Sequence, residues 1–397
     1  VIVDDIDALS IDQLLWLLSP RPDADDEDST QHRGGMQDQG STQDRANASD
    51  GERTRRSIRS STTAYGSPRR SFTRERDLVL ASDTDMAPMP PTGSAPAHAT
   101  SGSLFLPTAQ PYTAVPRFDG QTMAGIFEHP SLRTRSAFAG AAHRVGALPV
   151  FFVGDEVGID QRESAEDVAH LLAEHHRLIG ARLKRHSTFT RMARVATEYG
   201  CPMVNLLTDW AHPTQAIADL ITIVHELGVG PGESLPHVRI AYLGEANNVA
   251  RSLTKGALAL GWDITIAAPE GHQFGVDDVA SFANYRSLCG SDARLELTDD
   301  PSAAVREANV LYTDVWVSMG AESSAAQVME EFRGFAIDEA LLSIAPDDAF
   351  VMHCLPAHRG MEIEGSVIDS ERSVVWDQAR NRLVAMERLF RLIGEED

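Results

Sequence analysis

From Phe118 onward, short apolar runs alternate with longer stretches in which apolar residues recur every three or four positions. The short runs predict strands and the longer stretches predict helices. Met123–Phe127, Pro149–Val153, Leu178–Ala181 and Met203–Leu207 are predicted strands, each followed by a predicted helix: Thr134–Val145, Ser164–Glu174, Phe189–Tyr199 and Thr214–Leu227. A Gly/Pro-rich joint, Gly228–Pro236, precedes a second set: strand Val238–Leu243, helix Asn248–Ala259, strand Asp263–Ala267, helix Pro301–Ala308, and strands Val310–Thr313 and Phe350–His353. Strands alternating with helices imply parallel sheets with right-handed crossovers. The predicted fold is α/β: two doubly wound parallel-sheet domains with an interdomain cleft. A last helix, Asp377–Ile393, places Leu383, Met386, Leu389, Phe390 and Ile393 on one side.

The N-terminal part has a different character. Ile11, Leu14, Leu15, Leu17 and Leu18 follow Ser10 at helical spacing, and then periodicity stops. Between Ser19 and Ala114 an acidic piece (Asp23 to Asp28), a basic serine-rich piece (Arg53 to Arg76) and a Pro/Ala/Met/Ser piece (Ala87 to Ser103) follow one another. Such a composition buries too little apolar surface to offset the entropy of ordering, so a long disordered polar insert is expected. The expected divisions are 1–18, an N-terminal helix of the first domain; 19–114, the insert; 115–228 and 229–376, the two domains; and 377–397, a helix packing back on the first domain.

Charge narrows the function. The formal net charge is -23 over 397 residues, which argues against nucleic acid and against anionic membranes as partners. Lysine occurs only at Lys184 and Lys255, so arginine carries most of the positive charge. Any anionic ligand therefore needs a local concentration of arginine. Three cysteines, Cys201, Cys289 and Cys354, suit a reducing compartment without a disulfide framework. No CxxC or other metal-ligand spacing occurs. A cytoplasmic location is expected; the mitochondrial matrix stays open because the chain begins at Val1 rather than Met.

The candidate chemistry lies where predicted strands end, which is where open α/β sheets bind ligands. Ser131-Leu132-Arg133-Thr134-Arg135 opens a helix, so free N–H groups, hydroxyls and a guanidinium could grip an oxyanion, although an N-cap with surface arginines would read the same way. Arg182 follows the strand Leu178–Ala181. His212-Pro213-Thr214-Gln215 starts a long helix, where a capping histidine is the plain alternative. Tyr242-Leu243-Gly244-Glu245-Ala246-Asn247-Asn248 ends a strand without the G-x-G-x-x-G of dinucleotide sites. Asp314-Val315-Trp316-Val317-Ser318-Met319-Gly320 and His353-Cys354-Leu355-Pro356 follow two more strands.

Taken together and in this order, these segments resemble the transcarbamylase family, and within it the ornithine carbamoyltransferases. The resemblance implies carbamoyl phosphate and L-ornithine as ligands, no metal or organic cofactor, and a homotrimer. It implies that Ser131, Leu132, Arg133, Thr134, Arg182, His212, Gln215, Cys354, Leu355 and Arg382 bind carbamoyl phosphate. Asn248, Asp314, Ser318 and Met319 would hold ornithine, and Arg182, His212, Asp314 and Cys354 would be catalytic. Three positions depart from the family pattern. Leu132 stands where a small residue is usual, Gly158 where a glutamine reaches a neighbouring subunit, and Val384 where a histidine is usual; Gln161 is the nearest substitute for the glutamine. Two further alternatives remain: a transcarbamylase for another amine such as putrescine or acetylornithine, and a catalytically weak carbamoyl phosphate-binding homologue with a scaffold role.

Overall fold

The computed structural model describes residues 2–19, 104–107, 118–316 and 325–395. The apolar runs form two five-stranded parallel sheets. The first is built from β1 (Ile2–Val3), β2 (Thr122–Phe127), β3 (Leu148–Val153), β4 (Leu178–Arg182) and β5 (Met203–Leu207), in the order β1-β5-β4-β2-β3. Its helices are α1 (Ile11–Leu18), α2 (Leu132–Arg144), α3 (Gly154–Val157), α4 (Ala165–His175), α5 (His186–Glu198) and α6 (Pro213–Glu226). The second sheet contains β6 (Arg239–Leu243), β7 (Asp263–Ala267), β8 (Leu295–Thr298), β9 (Val310–Thr313) and β10 (Phe350–His353), in the order β10-β9-β6-β7-β8. With it come α7 (Asn248–Ala259), α8 (Val276–Leu288), α9 (Pro301–Val305), α10 (Ala325–Glu331), α11 (Glu339–Leu342), α12 (Gly365–Ile368) and the long α13 (Val375–Glu395).

Each sheet reverses its winding once. The chain goes from β2 out to β3 and then returns to β4 on the other side of β2; it goes from β6 to β7 and β8 and then returns to β9 on the other side of β6. Crevices open at the C-terminal ends of the strands at such reversals, here β2/β4 and β6/β9. Side chains with chemistry placed there need no further device to become accessible.

Small residues let the helices lie close to the first sheet. A Cβ at Gly180 of β4 would sit 2.5 Å from the Phe138 ring of α2, so only glycine admits α2 at this depth. Phe138 in turn packs edge-on against Phe390 of α13, with centroids 5.2 Å apart. The C-terminal helix thereby lies on α2 as well as beside β10, and its Gln378 and Arg382 are buried.

Two expectations need revision. The helix expected from Thr134 begins at Leu132, with Ser131 as its N-cap, which brings Leu132 and Arg133 into the first turn. The expected 19–114 insert is not polar filler throughout. Ser19 is buried and Leu106 is 1% exposed in the core. Leu106 exchanges backbone hydrogen bonds with Glu233 and Gly232, and the Leu104 carbonyl accepts from Leu235. The joint after α6 presents backbone groups outside any helix or sheet, and this short segment satisfies them. The rest of the insert, 20–103 and 108–114, lies outside the described residues. The apolar pattern also gives no sign of β1, α8 and β8. In α8 only Phe282 is buried, and β8 is an edge strand with no buried residue, so neither carries a strong periodic signal.

Candidate active site

The anion-binding half forms at the β2/β4 crevice. Ser131 caps α2 without a side-chain capping bond, and the first turn of α2 contains no acidic residue. The helix end therefore presents backbone N–H groups and a positive dipole to whatever binds there. Leu132, 80% exposed, contributes only its backbone to that end. Arg133 sits in the same turn, Arg182 is the last residue of β4, and Arg382 enters from α13. Arg382 donates through Nη1 to Gln215 Oε1 and through Nη2 to Thr134 Oγ1 at 3.0 Å. The buried Nε atoms of Arg182 and Arg382 have no protein partner among the described residues.

The cluster concentrates positive charge in a buried place. Burial lowers the Arg182 guanidinium to about 10, and the charges of Arg382 and Arg133 act in the same direction. His212, buried at the N-terminus of α6, is held well below the usual imidazole range, first by burial and then by Arg382, Arg182 and Arg133. A neutral His212 remains a hydrogen-bond donor without adding to the repulsion. It is the N-cap of α6 through its backbone carbonyl, but its ring makes no capping bond to the helix. Arg135 plays a different part. Its guanidinium lies over the Phe127 and Phe151 rings, at 4.9 and 5.3 Å from their centroids, where it braces β2 and β3.

The second half forms where β6, β9 and β10 end. Asp314 is 7% exposed. Its Oδ1 accepts from the Cys354 thiol and from Val315 N, both at 2.7 Å, and its Oδ2 accepts from Asn247 Nδ2 at 2.9 Å. Burial and the neighbouring Asp314 carboxylate push the Cys354 thiol well above its usual range. Cys354 is therefore a thiol donor at neutral pH and not a thiolate nucleophile.

His353 cannot act as its base. Leu355 N donates to His353 Nδ1 at 2.9 Å, so the ring proton is on Nε2, which lies 3.1 Å from the buried Glu362 Oε1. Leu355 itself adopts a positive φ of 57°, a backbone state that a branched side chain disfavours and that recurs at functional sites. Asp314, His353 and Cys354 are the one group among the described residues whose ligand atoms could converge on a metal ion. The imidazole, carboxylate and thiol are already engaged by the hydrogen bonds just given.

The two halves belong to one crevice. Burial lowers the Arg133 guanidinium, and the Asp314 carboxylate from the other sheet opposes that shift. Gln378 of α13 joins the halves directly, donating to Asp219 of α6 and accepting from the backbone N–H of His353, next to Cys354. Of the residues singled out from sequence, Arg133, Thr134, Arg182, His212, Gln215, Asp314, Cys354 and Arg382 are thus brought into one electrostatic neighbourhood. Asn248 donates from Nδ2 to the Thr208 carbonyl at 2.5 Å, which ties α7 to the loop before His212. Ser318 and Met319 lie outside the described residues. Gly158, at a φ of 64°, closes the short α3, and Gln161 is exposed.

Sequence reasoning missed Asn247, which both caps α7 and holds Asp314. It also missed Asp219 of α6, which is completely buried. A single carboxylate inside Ala216-Ile217-Ala218-Asp219-Leu220-Ile221 was the available signal.

Comparison with known proteins agrees with this geometry. Residues 105–225 match the family model for the aspartate/ornithine carbamoyltransferase carbamoyl-P binding domain. Residues 237–393 match the model for the Asp/Orn binding domain of the same family. The ornithine carbamoyltransferase of Acidothermus cellulolyticus is 43% identical over 281 residues, covering 70% of this chain and 86% of that protein. That of Methanocaldococcus jannaschii is 39% identical over 277 residues, covering 70% and 88%. The crystal structure of the anabolic ornithine carbamoyltransferase from Campylobacter jejuni superposes with a TM-score of 0.66 at 31% identity, covering 72% of this chain and 91% of that one. With both halves of its crevice matched in this way, the chain belongs to the aspartate/ornithine carbamoyltransferase family.

Proposed function

We propose that the protein transfers the carbamoyl group of carbamoyl phosphate to the δ-amine of L-ornithine, giving citrulline and phosphate, as in arginine biosynthesis. One observation carries this reading: an arginine cluster at a helix N-terminus faces a carboxylate–thiol pair across one crevice. The first half suits a phosphate dianion and the second a cationic or neutral amine. Aspartate as co-substrate would bring a second carboxylate against Asp314, which disfavours it.

In this mechanism the N–H groups at the start of α2, the Ser131 hydroxyl, Arg133, Arg182 and Arg382 hold the phosphate. His212, Gln215 and the backbone at Cys354–Leu355 orient the carbamoyl group. Asp314 and Cys354 align the neutral δ-amine, and Asn248, Ser318 and Met319 hold the amino-acid end. The amine nitrogen bonds to the carbonyl carbon, negative charge gathers on the carbonyl oxygen, the bond to the phosphate oxygen breaks, and the amine proton leaves with phosphate. Fixed positive groups stabilise the developing charge without reorganising, so orientation and preorganised electrostatics account for the acceleration. No covalent intermediate is required, which agrees with a protonated Cys354.

We include a cytoplasmic homotrimer in the proposal. None of the three cysteines is in a disulfide, which supports a reducing compartment. No helix among the described residues is long and apolar enough to cross a membrane. The test is citrulline formation by the purified chain with ornithine, acetylornithine, putrescine and aspartate, alongside its mass in solution. Ornithine should give the highest kcat/KM; higher turnover of any of the others would replace this reading.

A further inference from the structure

We propose that Asp219 is a positioning residue for the phosphate-binding arginine Arg382, acting through the side-chain amide of Gln215. This deepens the function proposed above and rests on it for the identity of the substrate.

The inference comes from hydrogen-bond polarity. Asp219 lies one turn after Gln215 on α6 and is 0% exposed. Its Oδ1 receives Gln215 Nε2 and Gln378 Nε2, each at 2.7 Å, and its Oδ2 receives the Tyr312 hydroxyl at 3.0 Å. An amide can be turned end for end, so its orientation has to come from its partners. The far end of each amide settles the matter. Gln215 meets the guanidinium of Arg382, which can only donate. Gln378 meets the backbone N–H of His353 at 2.8 Å, which also can only donate. Both carbonyl oxygens are therefore committed away from Asp219, and both NH2 groups face it. The group between them has to accept from two amides at once, which a carboxylate does.

Asp219 thus couples both halves of the crevice. Through Gln215 it sets Arg382, whose other nitrogen reaches Thr134 in the first turn of α2. Through Gln378 it holds the backbone of His353, next to Cys354. Through Tyr312 it holds β9, one strand residue before Thr313 and two before Asp314. Four elements that share no sequence neighbourhood are locked by one side chain that never meets the ligand.

The experiment compares wild type with Asp219→Ala and Asp219→Asn. Asparagine keeps an oxygen for both glutamine amides, so it is the rescuing variant. The first readout is binding of inorganic phosphate by calorimetry, which does not depend on turnover. Asp219→Ala should bind phosphate about tenfold more weakly, as expected when a charge-assisted contact is misplaced, and Asp219→Asn should recover most of that loss. The second readout is steady-state kinetics: KM for carbamoyl phosphate should rise in Asp219→Ala more than KM for ornithine, because Arg382 depends on the Gln215 link whereas β9 and β10 are also held by their sheet pairing.

Folded Asp219→Ala protein with wild-type phosphate affinity overturns the proposal, as does an equal rise in both KM values, which marks a general structural role. If Asp219→Ala does not fold, Gln215→Met breaks the same link while leaving Asp219 with Gln378 and Tyr312. Inorganic phosphate has no carbamoyl group for Gln215 to touch, so a loss of its affinity reports on Arg382, and no loss overturns the proposal. Should wild type make no citrulline while the phosphate results hold, the positioning role stands and only the assigned reaction falls.

Discussion

At His212, burial and three arginine charges act in the same direction, and both favour the neutral ring. The consequence for stability has a definite sign. In the unfolded chain the imidazole takes up a proton below about pH 6.5, whereas in the folded protein it resists until much lower pH. Across that window the unfolded state binds more protons, so stability is present above about pH 6.5 and is lost as pH falls. The slope from this one group approaches about 1.4 kcal/mol per pH unit. His212→Gln should therefore lose less stability than wild type between about pH 6.5 and about pH 5, measured as urea midpoints across that range. Parallel curves for the two proteins would mean that His212 titrates normally. Phosphate at saturating concentration should reduce the difference, because it cancels the arginine charges that help to depress the ring.

Among the elements, the N-terminal segment has the least expected role. Ser10 caps α1 in a reciprocal bond with Gln13, which explains why so short a helix forms. Ahead of it, Asp5 and Asp7 grip the buried Lys255 of α7 at 2.8 and 2.6 Å, and these charges hold the ammonium pKa up to about 12 against burial. Asp5 also accepts from Ser252 Oγ at 2.6 Å, and Ser252 Oγ accepts from His212 N at 3.0 Å. The chain's first residues therefore reach the turn that carries His212. Lys255→Met strands the Asp5 carboxylate, which is 2% exposed, and should cost about 3–5 kcal/mol in urea unfolding. Adding Asp5→Asn should restore most of that loss, because the uncompensated charge is gone. Equal stability of the single and double variants would show that burial of Asp5 is not the cost.

For the whole molecule, the decisive feature is that the winding reversals of two sheets face one crevice. Neither sheet holds a complete site: the arginines come from the first sheet and α13, the carboxylate–thiol pair from the second. Ser19 and Pro107 lie side by side, the Ser19 Oγ donating to the Pro107 carbonyl at 2.8 Å. Loop-closure entropy changes only weakly with length. Replacing residues 20–103 by a Gly/Ser linker of about eight residues should therefore leave citrulline formation and thermal midpoint close to wild type. Extending the deletion through Pro107 removes the buried Leu106 and should cost at least about 2 kcal/mol. Loss of activity in the shorter deletion, with the protein still soluble, would show that the segment has a structural part in catalysis.

Much of this was legible along the chain. Apolar runs of four to six residues, alternating with helical periodicity, point to parallel α/β layers, because most strands of such sheets are buried on both faces. The strand ends then pointed to Ser131, Arg182, His212, Asp314 and Cys354, since polar groups that close an apolar strand must emerge at a sheet edge. What sequence could not determine is partnership across distance. Arg382 lies 167 positions from Gln215 and 248 from Thr134, and no local pattern records that a C-terminal helix returns to the first turn of α2. Asp219 is a lone carboxylate in an apolar stretch of α6, and its role depends on Gln378 and Tyr312, which only the fold brings against it. Leu106 looked like part of a polar tail until the Glu233 backbone needed a partner. Local propensity and periodicity act over a few residues and so are written in the chain. Satisfaction of buried charge and of unpaired hydrogen-bonding groups is a condition on the completed interior, and only the tertiary structure meets it.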